Sequence, residues 1–173
     1  MIDITSAATV LAMVDNLRRR DSWAGETHVQ KAMYFLDKKC GTPTGFDFIL
    51  YKHGPYSFDL HDSLNMLLAI GLLDHEIIHP YGPRFQLTSA GEDFLRKHSC
   101  KIGPAEPSLR TVAEWFGAKG VAHLEKLATA LWVRIELPEA DEQAQARRMH
   151  ELKPHISVED ALLALADVRT MQS

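Results

Sequence analysis

YKHGPYSFDLHDSL, residues 51–64, holds the junction on which the fold turns. Before it runs a β-type segment, FDFILYK, residues 46–52; after Ser57 an apolar-periodic segment begins. A glycine, a proline and an aromatic at such a junction suit a phosphate cradle, an enzyme's elbow or a built corner. A cradle needs backbone N–H donors, and Pro55 removes one of them. A nucleophile elbow needs a GxSxG pattern, which the chain lacks. The corner is the remaining reading. Gly54 permits a backbone angle that other residues dislike, Pro55 fixes the turn, and Ser57 caps the helix that follows. Tyr56 packs in this reading, with its hydroxyl reaching a backbone group or a partner. The alternative is that Tyr51, His53 and Tyr56 line an interaction surface.

Working outward, the strand over 46–52 places Phe46, Phe48 and Leu50 on one face, while Ile49 and Tyr51 make the other face half-apolar. The helix after the corner covers about Phe58 to Ile70, with Leu60, Leu64, Leu67 and Leu68 buried and Gly71 at its end. Upstream, one helix starts after Thr5 or Ser6 and buries Val10, Leu11, Val14 and Leu17. It closes in Arg18, Arg19 and Arg20, read as a solvated match to the helix dipole. A second helix runs from about Thr27 to Cys40, with Val29, Met33, Leu36 and Cys40 as its stripe. Downstream, HEIIHP and RFQLT flank the turn cluster Tyr81-Gly82-Pro83 and predict a β-hairpin over about 75–87. Thr88 caps a fourth helix carrying Phe94 and Leu95.

KIGPAEPS, residues 101–108, reads as a connector to an all-helical half over 108–173 that packs on the first. Ser108 caps a helix with Leu109, Val112 and Phe116 inward. Leu124, Leu127, Leu131 and Ile135 share the face of the next, which Pro138 ends. A polar helix spans Asp141 to Leu152, and Ser157 with Asp160 resembles a capping box for the last one. The expectation is one α+β domain over 1–173: mostly helical, with a small antiparallel sheet made of strand 46–52 and the hairpin, in a winged-helix-like layout.

The chain has 173 residues, 46% hydrophobic and 24% charged, with a formal net charge of −4. A mildly acidic balance weighs against nucleic-acid and membrane-surface partners. The two cysteines, Cys40 and Cys100, have no metal-type spacing, so a reduced, cytoplasmic protein is expected. The N-terminus lacks a basic n-region and no apolar run is long enough to span a membrane, so neither a signal peptide nor membrane insertion is expected.

Chemistry-bearing motifs are few. Among nine histidines, His75 and His79 share a strand face, but no third ligand is placed, so no metal site is expected. There is no Walker loop, and the His75-Glu76-Ile77-Ile78-His79 spacing falls in an expected strand, where Glu76 points to the face opposite His75, not on the helix that a zinc-binding HExxH pair needs. Lys31, Tyr34, Tyr51 and Tyr56 could supply acid–base groups, but the sequence fixes no geometry among them. No catalytic residue, cofactor or enzymatic activity is assigned. The winged-helix layout raises a DNA-binding reading, with the wing around Tyr81-Gly82-Pro83 and its usual finish at Leu87 to Gly91. The would-be recognition helix, SFDLHDSLNMLLAI, offers Asn65 and His61 but also Asp59 and Asp62, and no Arg or Lys.

Taken in order, HVQKAMYFLDKK, FDFILYKHGPYSFDLHDSL, AIGLL and FQLTSAG resemble the Panacea-domain family, the SocA-like antitoxins and their bacterial and phage relatives. Lys31, Tyr34, Phe35 and Leu36 match its K-x-x-Y-F-L helix, Gly54-Pro55-Tyr56 its G-P-Y element, and Gly71-Leu72 its G-L end. The match is strongest over residues 27–95. The resemblance implies a cytoplasmic prokaryotic or phage-associated protein that binds protein. It would be the antitoxin of a toxin–antitoxin pair, neutralising a cognate toxin by direct contact or acting as an adaptor that hands it to a protease. A winged-helix transcription regulator is the alternative. Lys31, Tyr34, Tyr51, Gly54, Pro55, Tyr56 and Ser57 are then the motif residues, serving the fold or the partner surface.

Overall fold

The computed structural model describes residues 3–172. Two helices form its centre. α1 (Ile4–Arg18) and α2 (Glu26–Lys38) are buried on nearly every side. Ala7, Ala8, Val10, Leu11, Met13, Val14 and Leu17 are all in the core, as are Val29, Ala32, Met33, Tyr34, Phe35 and Leu36. The expectation of one apolar stripe on each helix was too narrow. α1 meets α6, α5, β4 and α4 while α2 meets α7, α6 and β2, so a helix apolar all round finds cover all round. Asp3, not Thr5 or Ser6, caps α1. Its carboxylate accepts from the N–H groups of Thr5 (2.7 Å) and Ser6 (3.1 Å), and these bonds, with one from the Ser6 hydroxyl, hold its pKa below the ordinary value.

The sheet differs from the expected one in a way that matters for function. Strand 46–52 does not join the later hairpin. Only Ile49–Tyr51 (β1) forms ladder bonds, and it folds back on Gly54–Tyr56 (β2), with Tyr51 opposite Gly54, Leu50 opposite Pro55 and Ile49 opposite Tyr56. Gly54 and Pro55 are strand residues, and the turn is Lys52-His53. The period-two alternation survives beyond the ladder: Phe46 is buried, Phe48 and Leu50 are half-buried, and Asp47, Ile49 and Tyr51 face out.

α3 (Phe58–Ala69) begins at Ser57, whose hydroxyl accepts from Leu60 N–H, and buries Leu60, Leu64 and Leu67. β3 (Leu73–Glu76) and β4 (Arg84–Leu87) form the second hairpin, pairing Leu73 with Leu87 and Glu76 with Arg84. Its strand starts earlier than HEIIHP suggests, and residues 77–83 form the connecting loop, so His75 and His79 do not share a strand face. α4 (Ser89–Lys97) is capped by Thr88.

The expected connector is helical: α5 (Ser99–Ile102), a 3-10 turn (Gly103–Ala105) and α6 (Glu106–Phe116) follow without a break. Pro104 and Pro107 sit in first turns, where no N–H donor is required, so they admit helix where a break was expected. Ser108 lies inside α6 and caps nothing. α7 (Val121–Glu136), α8 (Glu142–Leu152) and α9 (Val158–Thr170) pack on one another, and α7 also meets α2 and β2. Ile135 is exposed, unlike Leu124, Leu127 and Leu131. Ser157 caps α9, but Asp160 pairs with Lys126 (2.7 Å), so only half of the capping box forms. One buried cluster runs from Ala7 to Val168 through both halves of the chain.

The triple arginine is not merely solvated. Arg18 bonds Glu76 on β3 (2.8 Å), Arg19 pairs with Asp15, and Arg20 reaches Asn16 and Glu114. Cys40 lies beyond the end of α2, half-buried against the core, and burial raises its thiol pKa. Among the described residues no helix is long and apolar enough to cross a membrane.

Candidate functional site

The motif residues meet at the first hairpin. A two-residue turn makes Tyr51 and Gly54 the hydrogen-bonded pair that closes it, so the next pair, Leu50 and Pro55, turns its backbone groups outward. Pro55 therefore deprives β1 of no donor, and its carbonyl points away from the hairpin. Lys31 of α2 meets it there, donating from Nζ to the Pro55 oxygen at 2.8 Å. One residue earlier on α2, Gln30 takes both backbone groups of Ser57: Nε2 donates to Ser57 O (2.9 Å) and Oε1 accepts from Ser57 N–H (2.8 Å). This side-chain amide continues the β2 edge as another strand would. Gln30 and Lys31 are both fully buried.

Gly54 has φ +89°, in the left-handed region, and a Cβ there would come within 3.2 Å of Thr129 Oγ1 on α7. From the far end of the chain, Lys153 donates to the carbonyls of Tyr51 and of Lys52, the latter at 2.6 Å. Glu125 of α7, 6% exposed, accepts from or faces two imidazoles, with His155 Nε2 at 3.0 Å and His53 Nδ1 at 4.0 Å. Burial pulls the Lys31 pKa down to about 8; the Glu125 charge opposes this and the Lys153 charge adds to it.

The outer face of the hairpin is different. Tyr51, Tyr56 and Phe58 stack edge to face or tilted, with ring centroids 5.2–5.6 Å apart. Tyr51 is 41% and Phe58 51% exposed, and Ile49 stands beside them at 48%. The expectation that the corner aromatics are mainly core is corrected here: the helices behind the hairpin are filled by Lys31, Gln30 and Thr129, leaving the rings outside. Tyr56 is tethered, its hydroxyl donating to Glu26 Oε1 (2.8 Å). His61 Nδ1 lies 2.6 Å from the same oxygen and Asn65 Nδ2 lies 3.0 Å from His61 Nε2. With Asn65 donating, the ring proton sits on Nδ1 and faces Glu26. Burial and the Glu26 contact raise the Tyr56 pKa.

Tyr34 stands apart from this cluster. It is 1% exposed and packs on Phe48 and Trp132 in an aromatic layer, and burial raises its pKa. Gln30, Glu125, Thr129, Lys153 and His155 were not singled out from sequence. Gln30 alone carried a signal, a polar residue beside Lys31 between the apolar positions Val29 and Ala32. The others lie 70 or more residues from the hairpin they serve.

Chemically, the inner cluster binds the hairpin. The Lys31 amine is 1% exposed and engaged by a carbonyl, and Glu125 is engaged by His155. Thr129 Oγ1 is buried without a hydrogen-bond partner. Among the described residues no group of three or more His, Cys, Asp or Glu could hold a metal ion. The accessible chemistry is the aromatic ridge and the acidic start of α3, Asp59 and Asp62, both exposed. Neither a protein-family model nor a curated protein matches the chain.

Proposed function

We propose that the chain is a protein-binding module, the antitoxin of a toxin–antitoxin pair, which neutralises its toxin by direct contact or delivers it to a protease. The observation that carries this is the exposed ridge of Tyr51, Phe58 and Ile49, with half-buried Tyr56 stacked against the two rings, on a hairpin held rigid from behind. Aromatic side chains on a fixed backbone lose little entropy on docking and dominate interface energetics. Asp59 and Asp62 flank the ridge, and the chain is net acidic, so the occupant is a protein with a basic face, the character of a toxin that acts on nucleic acid or translation. The same carboxylates repel a phosphate backbone, which disfavours the regulator reading.

The test is to tag the chain in its native cells and identify what co-purifies. The expected result is one stoichiometric small protein that is toxic when expressed alone and rescued by co-expression. The double variant Tyr51→Ala/Phe58→Ala should lose both partner and rescue while keeping its melting temperature within a few degrees. Recovery of DNA with no protein partner, bound in a salt-dependent way, would overturn the reading in favour of a regulator.

A further inference from the structure

We propose that the free edge of β1 takes up an extended segment of a partner protein as an added antiparallel strand, with apolar side chains facing in and a Lys or Arg beside Asp47. This rests on the protein-binding reading above and names how the partner is held. The two outer edges of the first hairpin differ. On β2, the outward backbone groups of Pro55 and Ser57 are taken by Lys31 and Gln30. On β1, the same alternation turns the N–H and C=O of Leu50, and of Phe48 just before the strand, outward. Among the described residues none of these groups has a hydrogen-bond partner. α2 and α7 pack chiefly against β2. An open row of donors and acceptors of this kind is a template for a further strand.

The floor of the hairpin is the independent observation. α2 and α7 both run across beneath it. Lys31 and Thr129 lie under β2, at Pro55 and Gly54. One turn on, Tyr34 and Trp132 reach Phe48, with the Tyr34 and Phe48 ring centroids 5.3 Å apart. Another turn on, Lys38 and Ile135 stand past β1 and, with Phe48 and Trp132, wall a slot of about 390 Å³. Ile135 is 51% exposed there, and Glu136 at the rim already pairs with Arg148 (2.9 Å). One helical turn advances about 5.4 Å, close to the roughly 4.8 Å between neighbouring strands, so a strand laid beside β1 sits over this slot. Directly opposed residues share a face, so its side chains opposite Phe48 and Leu50 point into the slot.

The outer face selects the occupant. Asp47, Ile49 and Tyr51 are exposed on it, and Asp59 and Asp62 line a hollow with Gly45 and Phe46 at its upstream end. Lys52, at the turn, places its amine 5.8 Å from the Tyr51 ring centre. A second copy pairing through this edge would bring two such acidic sets together, whereas a basic segment neutralises one. The segment that fits therefore alternates. Apolar residues face the slot, and between them a Lys or Arg meets Asp47 while a neighbour packs on Ile49.

The experiment is a titration of the full chain, in low salt, with an acetylated and amidated heptapeptide in which lysine alternates with leucine. Backbone amide resonances and their hydrogen exchange are the readout. The expected result is slowed exchange of the Phe48 and Leu50 N–H groups, shifts at Trp132 and Ile135, and a Kd below about 1 mM. In the antiparallel register the leucines face the slot and carry the bonded N–H groups. The peptide N-methylated at its leucines should therefore bind roughly tenfold or more weakly. Glutamate in place of lysine should weaken binding roughly fivefold. Asp47→Lys and Ile135→Lys, both at exposed positions, separate binding from folding. Each should keep its melting temperature within a few degrees and bind the lysine peptide roughly threefold or more weakly. Unslowed Leu50 exchange at roughly 5 mM peptide, equal binding of the N-methylated or the glutamate peptide, or unchanged binding by both variants would each overturn the proposal. Leu50 exchange that slows with protein concentration in the absence of peptide would assign the edge to a second copy and overturn it too. The titration needs no cognate partner. Its failure removes the added strand and leaves the antitoxin reading standing, and failure to recover a toxin does the reverse.

Discussion

The two hairpins are alike in size and opposite in construction. β1–β2 is held by desolvated side chains: Gln30 and Lys31 of α2 donate to the carbonyls of Ser57 and Pro55, and Lys153, just past the end of α8, donates to that of Lys52. β3–β4 is held near the surface, where Glu76 accepts from Arg84 (2.9 Å) and Arg18 (2.8 Å) and so ties both strands to α1. Its far end is locked by packing: Thr88 donates to Gly71 O, and Gly91 lies against the Leu72 carbonyl. A desolvated bond is expensive to break because the orphaned partner stays buried, whereas water and salt can replace a surface ion pair. The first hairpin is therefore a fixed platform, fit to present a ridge, and the second depends on solution conditions at one end.

The largest effect that would break this contrast is expected at Gly91. A Cβ there would stand 2.2 Å from Leu72 O, a backbone atom that cannot swing aside. Gly91→Ala should cost at least ~3 kcal/mol in urea unfolding, the upper end for overpacking, although the helical backbone suits alanine. A cost below ~1 kcal/mol would show that the second hairpin is not locked by packing.

Next is the pH dependence from Lys31. Its folded pKa is about 8 against 10.5 for the free side chain. Below about 8 the folded chain keeps a buried ammonium that the unfolded chain keeps in water. Lys31 therefore lowers stability there, by up to about 3 kcal/mol before its hydrogen bond is counted. As pH rises from about 8 to 10.5 the folded state gives up its proton first and this penalty fades. The difference in unfolding free energy between wild type and Lys31→Met should shift in favour of wild type across that window and be flat on either side. A flat difference throughout would remove the buried charge from the platform.

Gly54→Val should cost ~2–3 kcal/mol, from a β-branched residue at positive φ pressed against Thr129. An unchanged melting temperature would mean that the corner is not strained against α7.

The smallest effect sharpens the comparison. Glu76 has its pKa pulled down to about 2, first by the hydrogen bond from Arg84 and then by that from Arg18. A depressed carboxyl contributes stability above its unfolded value of 4.5, and that contribution is lost as pH falls through about 2. Glu76→Gln should lower the melting temperature at neutral pH by roughly 1–3 °C in low salt and less at high salt. Lys31→Met should show no such salt response.

Several elements were legible in the sequence because their causes are local. Ser57, Thr88 and Ser157 cap the helices expected of them, each through its own hydroxyl and an N–H three residues on. The alternation from Phe46 to Tyr51 named the right face before any pairing was known. Where the local reading failed, a second segment had intervened. Gly54-Pro55-Tyr56 looked like a turn because glycine and proline usually mark turns, yet Lys52-His53 turns and the tripeptide pairs. KIGPAEPS looked like a connector because its prolines were read as breaks, yet they fall in first turns.

By itself the sequence determined a mostly helical α+β chain, the hydroxyl caps at Ser57, Thr88 and Ser157, and the inward side of its first strand, while a resemblance alone picked out Lys31, Tyr34, Tyr51, Gly54, Pro55, Tyr56 and Ser57. Only the tertiary structure decided that the first hairpin is braced by Lys153, about a hundred residues away, that Glu125 and Thr129 close it from behind, and that Tyr51 faces out while Tyr34 is core. The physical reason lies in the kind of bond. A cap or an alternation is written in neighbouring residues, whereas a lysine that donates to a distant backbone carbonyl selects no particular side chain and leaves no pattern to read.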